Sequence, residues 1–396
     1  MCAFDFDRII DRRGTACLKY DFGLQRAGRE DLLPMWVADM DFALPENILA
    51  RIHERIDHGI FGYTDPDDAY FKAVEAWFER RCGWKINREW ISVVPGVVYG
   101  IAAAVRALTK SGDAVIIQEP VYYPFREMIE ENGRVCINSQ LVEKDGRYEM
   151  DLADFEQKIR EYKVKAFILC SPHNPVGRVW SREELRAVGD ICLKNGVRMI
   201  VDEIHCDFIF PGHSFTPFAL LGETYSKNAV FCTSPSKTFN MAGLQVANIL
   251  IPDEQLRRAF RKINSANGYS QANAAGLTAA RAVYEEGDAW LDALGDYLAG
   301  NLDYMRSFLK EKLPQLRMIE PEGTYLVWVD FSGLTDNFED LLHLVRDEAH
   351  LWLDEGAIFG EETRLFERFN IACPRSVLKE ALESLEQAVQ SRMEKQ

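Results

Sequence analysis

The sequence predicts an α/β protein: a large domain on a mainly parallel sheet covered by helices, joined to a smaller α+β domain. Three observations predict it. Short apolar runs alternate with helical patterns through the middle of the chain, the signature of parallel strands linked by helical crossovers. The character changes after Asn273, where a long helical pattern gives way to a mixture of strand-like and helical stretches. The length of 396 residues exceeds what one hydrophobic core usually organises.

Residues 114–118, 166–170, 198–202, 229–233 and 247–251 read as buried strands. Between them Ser181-Arg182-Glu183-Glu184 has the form of a capping box, with Ser181 as N-cap and Glu184 three positions on. One helical pattern runs from about Ala274 to Leu313 and stops at Pro314. A strand at 324–330, a helix at 338–348, a strand at 368–372 and a final amphipathic helix from about Ser376 complete the smaller unit, joined by the first forty-odd residues. The expected division is 46–285 for the large domain, with 1–45 and 286–396 forming the small one.

Composition narrows the function. Hydrophobic residues make up 47% and charged residues 27%, ordinary for a globular chain. Lys and Arg total 46 against 62 Asp and Glu, a net charge of -16, which disfavours nucleic acid and anionic membrane as partners. A small anion held by local donors remains compatible with that charge. The nine cysteines are scattered without a C-x-x-C pair, so neither a disulfide framework nor a thiolate zinc site is expected, and a reducing cytoplasm fits. The acidic start from Met1 to Asp7 does not read as a secretory signal, and no apolar stretch has the length of a bilayer span.

Ligands in open α/β sheets bind beyond the carboxyl ends of the strands. Here those ends carry polar residues: Ser171-Pro172-His173-Asn174-Pro175-Val176-Gly177 after one strand, Asp202-Glu203-Ile204-His205 at the next, and Ser234-Pro235-Ser236-Lys237-Thr238 after a third. An amide, a carboxylate, a histidine and a lysine are therefore expected in one cleft. Taken singly, each has a plainer reading: a solvated lysine, a turn aspartate, an Asn-Pro turn, a core histidine. Other chemistries find little support. Strand alternation sends Asp202 and Glu203 to opposite faces, which argues against a metal site, and no H-E-x-x-H occurs. Neither G-x-G-x-x-G after a strand nor a G-x-S-x-G elbow is present.

The ordered set H-N-P-x-G, D-E-I-H, S-x-S-K-T-F-N with a following Gly, and A-C-P-R resembles the fold-type I enzymes that use pyridoxal 5'-phosphate (PLP), of the class I/II aminotransferase family. Trp36-Val37-Ala38-Asp39-Met40-Asp41-Phe42 and Phe61-Gly62-Tyr63-Thr64 further resemble its cystathionine β-lyase branch of the MalY/PatB type, and the likeness runs from about residue 4 to the C-terminus. The resemblance implies roles residue by residue. Lys237 carries the cofactor as a Schiff base and acts as the base at the substrate α-carbon. Asp202 keeps the pyridine nitrogen protonated, so that the ring accepts electrons. Asn174 and His205 contact the ring oxygen; His205 stands where many aminotransferases have a tyrosine, a departure shared with the lyase branch. Tyr122 stacks on the ring, with a catalytic part, although an aromatic in a loop is more often packing. The turn at Gly96, Val97 and Val98 opens a helix whose N–H groups suit a phosphate, with hydroxyls from Ser234 and Ser236.

The same resemblance implies that Arg375 clamps the substrate carboxylate, with Val37 and Ala38 lining the substrate side. It also implies that Tyr63 reaches the phosphate of a neighbouring subunit in a homodimer. Gln245 departs from the aminotransferase pattern, where an arginine grips the phosphate, and this leaves cofactor affinity in doubt. The activity implied is α,β-elimination on L-cystathionine or another cysteine S-conjugate, giving a thiol, pyruvate and ammonia. An amino-acid aminotransferase is the alternative, and a PLP-binding regulatory protein acting through a protein partner is a lesser one.

Overall fold

The computed structural model describes residues 4–394; Met1–Ala3 of the acidic N-terminal start lie outside them. Seven strands form the main sheet: β1 (Ile91–Val94), β2 (Ala114–Ile117), β3 (Val135–Asn138), β4 (Ala166–Cys170), β5 (Arg198–Asp202), β6 (Ala229–Thr233) and β7 (Ala247–Leu250). Their spatial order is β1-β7-β6-β5-β4-β2-β3. All neighbours are parallel except β7, which runs antiparallel to both β1 and β6. The five strands expected from the apolar runs are present; β1 and β3 are additional.

The apolar runs are continuous because both faces of the sheet are buried. Alternate residues supply two cores. Phe167 and Leu169 of β4, Met199 and Val201 of β5 and Phe231 of β6 face one. Ala166, Ile168, Ile200, Val230 and Cys232 face the other, under helices Val97–Leu108 and Glu254–Ala266.

The crossover helix Arg182–Asn195 begins with the expected capping box. Ser181 Oγ accepts from the Glu184 N–H at 3.2 Å, and the Ser181 N–H donates to Glu184 Oε2 at 2.8 Å. The long helical pattern, by contrast, is two helices, Ala274–Glu286 and Asp288–Lys312, broken at Gly287. A Cβ there would stand 2.5 Å from the Phe239 ring and from the Val283 carbonyl oxygen. Tertiary packing, invisible to periodicity, sets this break.

The remainder builds a second, antiparallel sheet from Arg317–Ile319, Leu326–Asp330, Phe366–Asn370 and Asp354–Glu355. The helix at 338–348 ends in a π-turn, His343–Glu348, and the last helix is Arg375–Met393. Leu33–Pro34 pairs in parallel with Leu351–Trp352, which brings the N-terminal segment onto this C-terminal part. Among the described residues no helix is long and apolar enough to cross a membrane.

Candidate active site

Strands β4, β5 and β6 are parallel, so the segments that follow them emerge at one edge. There they enclose a cavity of about 260 Å³ lined by Tyr122, Asn174, Asp202, His205, Ser236 and Lys237. Pro95, Gly96, Val97 and Val98 join it from the end of β1, Ala38 from the N-terminal segment and Gln245 from just before β7.

Lys237 sits on a four-residue helix, Pro235–Thr238, capped by Ser234. Ser234 Oγ accepts from the Ser236 N–H at 3.0 Å and donates to the Val246 carbonyl at 2.7 Å. Its hydroxyl is thus engaged in holding the lysine turn, and Ser234 does not line the cavity; Ser236 does. Lys237 Nζ donates to the Ala38 carbonyl at 2.5 Å. Burial, seconded by the Arg368 charge, draws its ammonium down to about 8 against the pull of Asp39, Asp202 and Asp354.

Asp202 ends β5 and is only 3% exposed. Burial pushes its carboxyl up to about 7, opposed by the Ile204 N–H, which donates to Oδ1 at 3.1 Å, and by the Lys237 charge. Glu203 turns to the opposite side, as alternation requires, and accepts from the Phe218 N–H at 2.8 Å. Burial, with Lys237 and Arg368 nearby, holds His205 neutral, well below the usual imidazole range, and its Nδ1 is buried without a hydrogen-bond partner. Burial raises the Tyr122 phenol, which remains protonated.

The loop after β4 is fastened from the C-terminal part. Gly177 adopts φ +69°, and its carbonyl accepts from the Glu322 and Gly323 N–H groups at 2.8 and 3.0 Å. A Cβ at 177 would lie 2.7 Å from Pro321. The buried Arg178 pairs with Glu322 and with Glu184 of the capping box. This holds Asn174 in place, with its Oδ1 accepting from Arg368 Nη1 at 3.0 Å.

Helix Val97–Leu108 begins at Gly96 with no side-chain cap, and its first turn lines the cavity. Free N–H groups and the positive end of the helix dipole there suit an anion without a cationic side chain. Gln245, at φ +48°, adds a neutral side chain.

The Trp36–Phe42 segment is pinned by two asparagines. Asn370 Nδ2 donates to the Val37 and Asp39 carbonyls at 2.7 and 2.6 Å, and Asn240 Nδ2 to Met40 at 2.7 Å. Ala38 lines the cavity, whereas Val37 does not.

Besides Ser234 and Val37, two further expected residues lie elsewhere. Arg375 opens the last helix and turns toward helix Asp288–Lys312: its Nε donates to Asn301 Oδ1 at 2.6 Å, and its guanidinium stands over Tyr297 and Tyr304. It does not line the cavity. Tyr63 is 97% exposed, away from the cavity of its own chain.

The arginine that contacts the cavity wall, through Asn174, is Arg368, 2% exposed in strand Phe366–Asn370. It donates to Asn174 and, through Nη2 at 2.8 Å, to the Trp36 carbonyl; it pairs with Asp354, and its Nε has no partner. Three polar residues, Glu367, Arg368 and Asn370, in a five-residue stretch between apolar neighbours were the available signal. Tyr325, whose hydroxyl donates to the Ala38 carbonyl at 3.1 Å and whose ring stands edge-on to His205, was likewise not anticipated.

A lysine held beside a buried aspartate at the carboxyl edge of such a sheet defines a class. The chain belongs to the aminotransferase class I and II family, whose sequence model matches residues 30–385. It is 43% identical to cystathionine beta-lyase PatB of Bacillus subtilis (strain 168), over 97% of this chain and 100% of that protein. It is 33% identical to protein MalY of Escherichia coli (strain K12), over 98% and 99%. Among solved structures, cystalysin from Treponema denticola, which contains a pyridoxal 5'-phosphate cofactor, matches with a TM-score of 0.95 at 36% identity, over 98% of this chain and 99% of that one. The PLP-bound C-S lyase from Staphylococcus hominis matches with a TM-score of 0.89 at 34% identity, over 98% of each chain.

Proposed function

We propose that this protein is a PLP-dependent carbon–sulfur β-lyase that cleaves L-cystathionine or related cysteine S-conjugates to a thiol, pyruvate and ammonia. The observation that carries the reading is the pairing, in one enclosed cavity, of a lysine amine drawn down to about 8 with the buried Asp202.

The residues fit the cofactor. An uncapped helix start suits its phosphate, and the orphaned His205 Nδ1 and the Asn174 amide suit its ring oxygen. Tyr122 offers a flat face. Asp202, raised by burial, would be held ionised by a cationic ring nitrogen. PLP, when bound, supplies an aldehyde for amine exchange and a ring that withdraws electrons from the α-carbon.

The chain's own groups then have defined work. Lys237 Nζ, whose ammonium burial draws down to about 8, accepts the proton from the substrate α-carbon. Arg368, with an unpartnered Nε and a guanidinium anchored to Asn174 and the Trp36 carbonyl, receives the α-carboxylate in place of Arg375. The Ala38 carbonyl, joined to both Lys237 Nζ and the Tyr325 hydroxyl, keeps the amine on the substrate side. With a thiolate at the β-carbon, loss of the α-proton breaks the C–S bond, and hydrolysis of what remains yields pyruvate and ammonia.

The proposed organisation keeps 46–285 as the large domain and 1–45 with 286–396 as the small one. It places the enzyme in the cytoplasm as a homodimer, in which Tyr63 completes the neighbouring subunit's phosphate site. Exposed Ile60, Phe61 and Tyr63 support an interface there. The free state of the eight described cysteines accords with a reducing compartment.

The deciding experiment incubates PLP-loaded protein with L-cystathionine and no keto acid. Pyruvate and free thiol in equal amounts over many turnovers are expected. Amino-group transfer that starts only when a keto acid is added would make it an aminotransferase.

A further inference from the structure

A second cavity, about 510 Å³, adjoins the first; its walls include Arg26, Trp36, Tyr123, Trp352, Asp354 and Ile358. Two features join the cavities. Arg368 reaches Asn174 of the first with one guanidinium nitrogen and Asp354 of the second with the other. The rings of Tyr122 and Tyr123, one in each wall, have centroids 5.6 Å apart. A side chain extending beyond an α-carboxylate held at Arg368 has this cavity beside it.

Its polar groups are unevenly committed. Arg126 is paired with Glu119 and Glu130, and Arg346 with Glu355. Arg26 has no ion-pair partner among the described residues and stands 5.8 Å over the Trp36 ring. Asp354 gives Oδ2 to Arg368, while no hydrogen bond reaches its Oδ1. Trp36 and Trp352, stacked with centroids 4.5 Å apart, supply an apolar wall between the free cation and the free carboxylate oxygen. One anion acceptor, one cation acceptor and an apolar wall match the far end of a thioether that carries a second amino-acid unit.

We propose that this cavity is a leaving-group subsite, in which Asp354 takes the distal ammonium and Arg26 the distal carboxylate of thioethers of the L-cystathionine type. The inference rests on the C–S lyase reading. Breaking the Cβ–S bond does not need the distal group, so the subsite selects among thioethers and takes no part in the bond-breaking step.

The test compares kcat/KM for L-cystathionine with that for S-ethyl-L-cysteine, which lacks the distal head group, using PLP-loaded protein. Arg26→Met, at an exposed position, is expected to lower the cystathionine-to-ethylcysteine ratio about fivefold, carried by KM, and Arg26→Lys to recover part of it. Asp354→Asn is expected to lower the same ratio. A ratio within twofold of the unaltered protein for Arg26→Met, or a loss confined to kcat, would overturn the subsite. If the unaltered protein releases pyruvate from neither thioether, the lyase reading itself fails and the subsite with it. Pyruvate from S-ethyl-L-cysteine with an unchanged ratio removes the subsite alone.

Discussion

Lys237 Nζ donates a 2.5 Å hydrogen bond to the carbonyl oxygen of Ala38, 199 residues earlier in the chain. The contact links a β-strand terminus of the main sheet to the N-terminal segment, which is itself pinned by Asn370 from the C-terminal sheet. Three distant parts of the sequence therefore orient one amine. Lys237→Ala should reduce pyruvate release from L-cystathionine below detection, and Asp202→Asn should lower it roughly 100-fold or more. A Lys237→Ala protein with full lyase activity would refute the mechanism.

The two arginines near the C-terminus separate cleanly. Arg368→Ala should lower kcat/KM roughly 100-fold for amino-acid substrates whatever their thiol, because it removes a buried carboxylate receptor. Arg375→Ala should leave kcat/KM within about twofold and reduce stability by about 1–2 kcal/mol, through loss of the bond to Asn301. Steady-state kinetics and thermal melts on both variants decide between them; the reverse pattern would restore Arg375 as the clamp.

Gly177 combines φ +69° with a backbone approach that leaves no room for a Cβ beside Pro321. Gly177→Ala should cost about 2–3 kcal/mol and loosen the loop that carries Asn174. A melt unchanged from that of the parent protein would show that the loop yields without penalty.

Glu367 lies buried with both carboxylate oxygens unpartnered. Burial, opposed by Arg346, pushes its carboxyl up from an ordinary 4.5 to about 8. The folded protein then holds a proton that the unfolded chain releases, so this group's contribution to stability is present below about 4.5 and is lost as pH rises toward 8. Glu367→Gln should raise the Tm by about 3 °C at pH 8 and leave it unchanged at pH 4. Equal shifts at both pH values would mean that charge is not the cause.

The proposed homodimer allows a complementation test. Tyr63→Ala and Lys237→Ala proteins, each impaired alone, should regain activity when mixed and allowed to exchange subunits. One site of each hybrid then has Lys237 from one subunit and Tyr63 from the other. No recovery after verified exchange would place Tyr63 outside the neighbouring site.

Within the sequence alone, strand ends were legible because both faces of the sheet are buried. The runs 166–170, 198–202 and 229–233 stand out as continuous apolar segments, and the polar residues that follow them must emerge at the ligand-binding edge. That local logic located Asn174, Asp202, His205 and Lys237, which share one cavity. The capping box at Ser181 was equally local.

The choice between Arg368 and Arg375 was not local. They stand seven positions apart, and both flank the same strand-to-helix passage. What turns Arg368 to the site is its register, opposite Trp328 on one neighbouring strand and Asp354 on the other, while Pro374 starts a helix that carries Arg375 toward Asn301. The break at Gly287 depends in the same way on Phe239, and the capping duty of Ser234 on Val246. Hydrophobic periodicity and turn chemistry act over a few residues and are written in the sequence. The direction of a polar side chain at a junction depends on partners tens to hundreds of residues away, and only the assembled fold brings those partners together.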